Sequence, residues 1–360
     1  MKRAFISDCE GPISKNDNAF EITSHYVPNG DKLFTVISRY DDVLADILKR
    51  PGYRAGSTLK FVLPFLKAYD VTDREMQLFS ARNLLLIQNS RNTLQHVRSI
   101  ANAFIVSTSY EHYIRALCQT LDFPFENTYC TKLNLGKYRI AEAERLRLRK
   151  VADEIAQMPV FEIPSETKSL EDLSEKSRET VKRLDDIFLK ELASMESGKM
   201  LSEVSPIGGS GKAAAVNDIA KKLGVKLADI IYVGDSITDE EAFKLVRENG
   251  GLTVSFNGNR YAVENAEIAV MSEDTTITAV IAEAFTRFGK EQTMKLTEKF
   301  TLEALEKASI TPTLINQLAK SHPEGLPKVK NITSQNMETL AKESSDFRKK
   351  VRGEAVGRLG

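Results

Sequence analysis

A doubly wound, mostly parallel α/β sheet is the fold that the sequence predicts, and three observations predict it. Short apolar runs recur at 4–7, 103–106, 230–233, 252–254 and 268–270, each ending in small or polar residues. Segments of helical period lie between them: Leu94, Val97 and Ile100 within 91–102, and Val216, Ile219, Ala220 and Leu223 within 212–223, where Gly224 stops the helix. Strand and helix alternate, which is the pattern of parallel strands joined by crossover helices. Ligands of such sheets sit at the carboxyl ends of the strands, and Asp8 and Glu10 stand directly behind the first one.

Two stretches interrupt the alternation. Residues 15–100 carry helix after helix, including VTDREMQLFSARNLLLI, in which Thr72 and Glu75 have the spacing of a capping box. Residues 140–204 form a second helical block, with one helix expected over about 140–157 and another over about 167–197, and Pro159 and Pro164 breaking the chain between them. In the second helix Val181, Leu184, Ile187, Phe188 and Leu192 make an apolar stripe, read as a packing face. From about 288 the chain is again charged and helical, punctuated by Pro312, Pro323 and Pro327.

Composition narrows the classes of function. At 360 residues and 42% hydrophobic the chain can bury a sizeable core and is expected to fold as two or more units. Lys plus Arg and Asp plus Glu are both 50, a balance that argues against a general polyanion binder, so no nucleic-acid partner is expected. The three cysteines, Cys9, Cys118 and Cys130, show no metal or disulfide spacing and suit a reducing, cytoplasmic location. Four scattered histidines propose no zinc site. No apolar run approaches the roughly 18–20 residues of a membrane span, and MKRAFISDCEG is too short for a signal-peptide core.

Four elements carry chemistry. In Asp8-Cys9-Glu10-Gly11-Pro12, a carboxylate just past a strand can attack phosphorus or bind a hard cation. An acid two residues on can protonate a leaving oxygen and then activate water; the bland alternative is an acidic loop. In Phe104-Ile105-Val106-Ser107-Thr108-Ser109 the strand ends in hydroxyls able to bond phosphoryl oxygens, or merely to cap a helix. Gly208-Gly209-Ser210-Gly211-Lys212 opens a helix but fails as a P-loop, because Pro206 stands where glycine is needed and Ala213 where Ser or Thr would reach magnesium. A lysine on a first helical turn is disfavoured by the dipole, so Lys212 asks for a nearby anion. Last, in IIYVGDSITDEEAF an apolar strand runs into Asp235, with Asp239 four residues on, a spacing suited to a hard cation or to helix capping.

Taken together, Asp-x-acid, then Ser, then Lys, then Gly-Asp-x-x-x-Asp, each at a strand end or helix start, resembles the haloacid dehalogenase (HAD) superfamily, mostly magnesium-dependent phosphatases. The likeness spans residues 8–239 and is nearest to phosphoserine phosphatase-like members. LDFPFENTYCTKL after Ser107 and GKAAAVNDIAKKLGVKLADIIYVGDSITDEEAF both resemble their segments, and the 15–100 block falls where they insert a helical cap. DCEGPISKNDNAFE also resembles, more faintly, archaeal proteins associated with energy-converting hydrogenase. The resemblance implies a HAD-like (Rossmannoid) core of residues 1–14, 101–139 and 205–287 and a helical cap at 15–100; a helical insertion at 140–204 and a helical C-terminal extension at 288–360 fall outside it.

The same resemblance implies Asp8 as nucleophile, Glu10 as general acid and base, Lys212 as charge neutraliser, and Ser107 and Thr108 at the phosphate. It implies Mg2+ on Asp8, Asp235 and the Glu10 carbonyl, with Asp239 supporting the metal or Lys212. Asn257, in the turn Asn257-Gly258-Asn259, is a further candidate for binding substrate, and Asp17, Asn18, Glu21 and Arg54 are candidates on the cap side. Two residues depart from the pattern: Glu10 where Asp is usual and Pro12 where Thr is usual. The expected function is hydrolysis of a small phosphorylated metabolite through an aspartyl-phosphate. The alternatives are phosphoryl transfer on the same machinery, or a non-catalytic subunit of an archaeal complex. The insertion and tail are the segments expected to bind a protein partner or a second copy.

Overall fold

The computed structural model describes residues 3–359, apart from 51, 162, 165 and 166. Its sheet is built from β1 (Ala4–Ser7), β2 (Asn102–Tyr110), β3 (Thr128–Thr131), β4 (Ile230–Gly234), β5 (Leu252–Phe256), β6 (Ile268–Met271) and β7 (Lys328–Asn331), in the order β3-β2-β1-β4-β5-β6-β7. The first six are parallel, with Ala4 beside both Asn102 and Ile230, and β7 lies antiparallel on β6. β1, β4, β5 and β6 are buried throughout, as strands covered by helices on both faces must be. Winding reverses at β1, whose neighbours are β2 and β4, so the crevice between their carboxyl ends is where a ligand is expected.

Every strand anticipated from the sequence is present, and two more complete the sheet. β3 is short, with its first two residues half-buried and its last two buried, and β7 reads KVKN, burying only Val329. The tail is therefore not wholly helical: it returns to the sheet and closes an edge with a strand carrying lysines, a common guard against edge-to-edge pairing. β2 also runs past 106 through the hydroxyl residues, with a register shift between Val106 and Tyr110.

Most of the 15–100 block forms one apolar cluster with the 140–204 block. The capping box of Thr72 and Glu75 is present, with both amide bonds made, at 2.8 and 3.2 Å. The insertion contributes the helices Glu142–Gln157 and Glu175–Asp186, the second continuing in irregular turns over 187–194. The whole expected stripe from Val181 to Leu192 is buried. Phe188 packs its ring 4.5 Å from that of Phe61 at a tilt of 36°, while Tyr40 and Arg50 both donate to Asp185. The insertion thus shares a core with the cap. The final helix of the first block, Ser90–Ile100, instead buries Leu94 and Val97 in the cluster under the sheet, together with Ile277 and Ala284. Among the described residues no helix is long and apolar enough to cross a membrane.

Candidate active site

Asp8 follows β1 immediately, and its amide still pairs with Val233 O at 2.8 Å, so the strand register aims the side chain. Its Oδ1 accepts from the Cys9 amide at 2.6 Å, and its Oδ2 from Lys212 Nζ at 2.5 Å. Lys212 sits in the first turn of the helix Ser210–Leu223 and is wholly buried. The anion it was expected to need turns out to be two: Nζ also donates to Asp239 Oδ1 at 2.7 Å. Burial alone would lower its pKa, but the Asp239 and Asp8 carboxylates outweigh that and raise it, so Lys212 is a permanent cation. Burial pushes Asp8 the other way, to about 7, with Lys212 opposing and Asp239 and Asp235 reinforcing the rise.

Asp239 is heavily committed. Besides Lys212, its Oδ1 accepts from Tyr232 Oη at 2.7 Å, and its Oδ2 takes the amides of Asp235 and Ser236, each at 3.1 Å. Gly234 permits this, because a Cβ there would meet Asp239 Cγ at 2.5 Å. Asp8, Asp235 and Asp239 each offer a buried carboxylate oxygen within 4.8 Å of one another. Such an oxygen set fits a hard cation like Mg2+; Asp8 and Asp239 share Lys212 between them, and Asp235 is the acid of the three that does not bond it.

Glu10 lies in the turn after Asp8. The turn is closed by Ile13 N and Ser14 N on Cys9 O and by Gly11 N on Ser14 O, and none of these bonds needs a donor at Pro12. Glu10 Oε1 accepts from the Asn18 amide at 2.7 Å. Burial, reinforced by Asp17, raises its carboxyl well above the usual range, against bonds from Ser109 and Asn18. Asp8, Glu10, Asp17, Ser107, Thr108 and Asp235 all line one cavity of about 100 Å³ between sheet and cap. Irregular pairing of β2 with β3 over 107–109 turns the Ser107 hydroxyl toward Ser109, 3.2 Å away, while Thr108 Oγ1 donates to Ile207 O at 3.0 Å.

Other candidates serve the scaffold. Asn257 is a correction: its amide group donates to Ser272 O at 2.7 Å and accepts from Ser272 N at 2.9 Å, and it does not line the cavity. Its turn instead braces the site from behind, with Asn259 N donating to Asp235 O at 2.9 Å. Of the cap-side candidates, Asp17 faces the cavity while capping the helix Asn18–Tyr26 through the Phe20 amide. Glu21 is held by Asn16, Asn18 Oδ1 accepts from Ser80, and the exposed Arg54 reaches Ser205 at 3.4 Å.

Two residues that the sequence did not single out complete the site. Arg348 and Arg352, from the C-terminal helix Met337–Arg352, both donate to Asp235 Oδ2, Arg352 at 3.1 Å and Arg348 in closer contact. Arg348 also reaches Asp235 O and Leu359 O, each at 3.3 Å, and Arg352 anchors on Lys15 O and Asn16 O. The same Oδ2 presses on Gly11, where a Cβ would fall 2.0 Å from it and φ is +107°. From the cap come Ser38, Asp41, Asp42 and Thr58.

A family model for haloacid dehalogenase-like hydrolases matches residues 69–284. No match exists among curated proteins. Among solved structures, a gene product of Archaeoglobus fulgidus is similar with TM-score 0.81 and 24% identity, covering 100% of this chain and 99% of its own. Apo and substrate-bound phosphoserine phosphatases align at TM-scores 0.42 and 0.41 with 13% and 15% identity, over 76% of this chain and 96% and 95% of theirs. The similarity to the Archaeoglobus protein is one of fold. The family match covers more than half of the sequence, including Ser107, Lys212, Asp235 and Asp239: this chain belongs to the haloacid dehalogenase-like hydrolases.

Proposed function

We propose that the protein is a magnesium-dependent phosphomonoester hydrolase, acting on a small phosphorylated metabolite through an aspartyl-phosphate on Asp8. The observation that carries this reading is Asp8 at the sheet's switch point, lining a cavity with Glu10 and Ser107 and backed by the buried Lys212. An oxygen of Asp8 attacks phosphorus in line, the P–O ester bond breaks, and the leaving alkoxide takes the Glu10 proton. Glu10, now a carboxylate, removes a proton from water; the water oxygen attacks phosphorus and returns Asp8 and free phosphate. Lys212 and the Ser107 hydroxyl face the equatorial oxygens, where charge gathers. When bound, Mg2+ on Asp8, Asp235 and the Glu10 carbonyl supplies screening between carboxylate and phosphate. Asp239 holds Lys212 in place.

The cap wall presents Ser38, Asp41, Asp42 and Thr58 beside Phe34 and Leu59, which supports a small leaving group with both polar and apolar atoms. A cavity of about 100 Å³ takes a phosphoryl group with few attached atoms; larger esters enter as the cap swings outward. The test is Mg2+-dependent phosphate release from a panel of small esters, with Asp8→Asn beside wild type. Hydrolysis by wild type, lost by at least 10³-fold in Asp8→Asn, is the expected outcome, on the scale of losing a covalent nucleophile. Inactivity on every ester, with no beryllofluoride trapped at Asp8, refutes the reading.

A further inference from the structure

Asp235 is the acid that a hard cation would use, yet two guanidinium groups already occupy one of its oxygens. This is a built arrangement. The arginine side chains are 3% and 4% exposed, and they come from successive turns of one helix. Arg348 lies on that helix's buried stripe with Leu340, Ser344 and Val351. Backbone carbonyls of Leu359, Lys15 and Asn16 fix both guanidinium groups, and the glycine at position 11 leaves room for the oxygen they share.

Charge then decides what the arrangement does. Three clustered acids, Asp8, Asp235 and Asp239, face three fixed cations, Lys212, Arg348 and Arg352. The other four acids at the cavity are engaged elsewhere: Glu10 and Asp17 on amides of the first cap helix, Asp41 on Tyr53, Thr58 and the Gly56 amide, and Asp42 on Arg39. A divalent cation entering alone leaves two uncompensated positive charges in a buried site, and a phosphate dianion alone leaves two negative ones; entering together they add none. We propose that Arg348 and Arg352 are internal counter-cations of Asp235, which make tight binding of a divalent cation conditional on a phosphoryl group in the same cavity. The C-terminal segment is thereby a positioning element of the active site. This inference rests on the phosphatase reading above. By linkage the coupling is reciprocal: phosphate tightens Mg2+ by the factor by which Mg2+ tightens phosphate.

Calorimetric titration of the full chain with Mg2+, with and without saturating inorganic phosphate, measures the coupling directly. Wild type is expected to bind Mg2+ at least 10-fold more tightly with phosphate present. Arg348→Met is expected to bind Mg2+ alone at least 10-fold more tightly than wild type, with most of the coupling gone, and Arg348→Lys to restore the wild-type pattern. Arg352→Gln, which leaves Arg348 in place, is expected to shift in the same direction by a smaller factor, and it serves if Arg348→Met does not fold. The thermal midpoint of the methionine variant should also rise more steeply with Mg2+ than that of wild type. Phosphate-independent Mg2+ affinity in wild type, or unchanged or weaker Mg2+ binding in both arginine variants, overturns the inference while leaving the hydrolase intact. A wild type that neither binds Mg2+ beside phosphate nor hydrolyses any ester overturns both.

Discussion

Replacing Lys212 with methionine removes the single cation between two buried carboxylates while keeping an unbranched side chain one atom shorter. Asp8 and Asp239 then face each other with oxygens inside 4.8 Å. At an effective dielectric of about 20, two unit charges at that separation repel by about 3 kcal/mol, a ceiling, because Asp8, already raised to about 7 beside Lys212, takes up a proton once the lysine is gone. Two charge-assisted hydrogen bonds, at 2.5 and 2.7 Å, go as well, and breaking a buried ion pair from one side costs about 3–5 kcal/mol. Lys212→Met should therefore lower stability in urea at neutral pH by about 3–5 kcal/mol. Adding Asp239→Asn should recover part of that loss, because the amide still accepts from the Asp235 and Ser236 amides without carrying the charge. Turnover should fall about 10²–10³-fold in Lys212→Met, the scale of one lost electrostatic stabiliser, and should not recover in the double variant. A Lys212→Met protein as stable as wild type refutes the charge argument. A double variant less stable than the single one shows instead that Asp239 acts through its other bonds.

Other perturbations test neighbouring claims. Gly11→Ala places a Cβ 2.0 Å from Asp235 Oδ2 at φ +107°, so it should cost about 1–3 kcal/mol and cut Mg2+-dependent turnover; wild-type stability and activity together would contradict the packing. Phe188→Ala empties a buried ring site shared by cap and insertion and should destabilise by about 3–5 kcal/mol in chemical denaturation, whereas a loss under 1 kcal/mol would mean that the two helical blocks do not share a core. Burial alone would raise the Glu283 carboxyl, but hydrogen bonds from His96, Thr311 and Arg287 win and lower it to about 2. Its stabilising contribution is then complete above the ordinary carboxylate range and fades as pH falls from about 4.5 toward about 2. Glu283→Gln should accordingly be less stable than wild type by about 1–2 kcal/mol at pH 7, after discounting for partial solvent screening, and equal to it near pH 2. A pH-independent difference would assign the loss to packing instead.

How much of this molecule the sequence discloses depends on how local the determining physics is. β1, β4, β5 and β6 are apolar runs that need only their own residues to be recognised. So are the helix ending at Gly224 and the capping box at Thr72. β3 and β7 are edge strands, with one buried residue in KVKN, and their existence depends on the neighbour they pair with. The union of insertion and cap escapes for a similar reason: a stripe from Val181 to Leu192 announces that something covers it, but not what. Asn257 misled because an asparagine in a turn beside a site reads the same whether it faces ligand or ties two loops together. Here it makes a reciprocal pair with the backbone of Ser272.

The site follows the same division. Asp8, Glu10, Ser107, Lys212, Asp235 and Asp239 sit at strand ends and helix starts, where a charged or hydroxyl residue after an apolar run is unusual on its own terms. Arg348 and Arg352 sit in SSDFRKKVRG, a basic stretch of a charged helix that ordinarily means a solvated face. The discriminating signal is phase. Leu340, Ala341, Ser344 and Val351 define the buried stripe, and helical spacing puts 348 on it while Lys350 turns to solvent. A guanidinium on an apolar stripe is stable only opposite a buried anion. In a chain whose first and fourth strands already converge their acids on one crevice, that anion has few places to be. The tail thus belongs to the candidate active site by the same rule that placed Lys212 there: each buried cation implies the carboxylate it must meet.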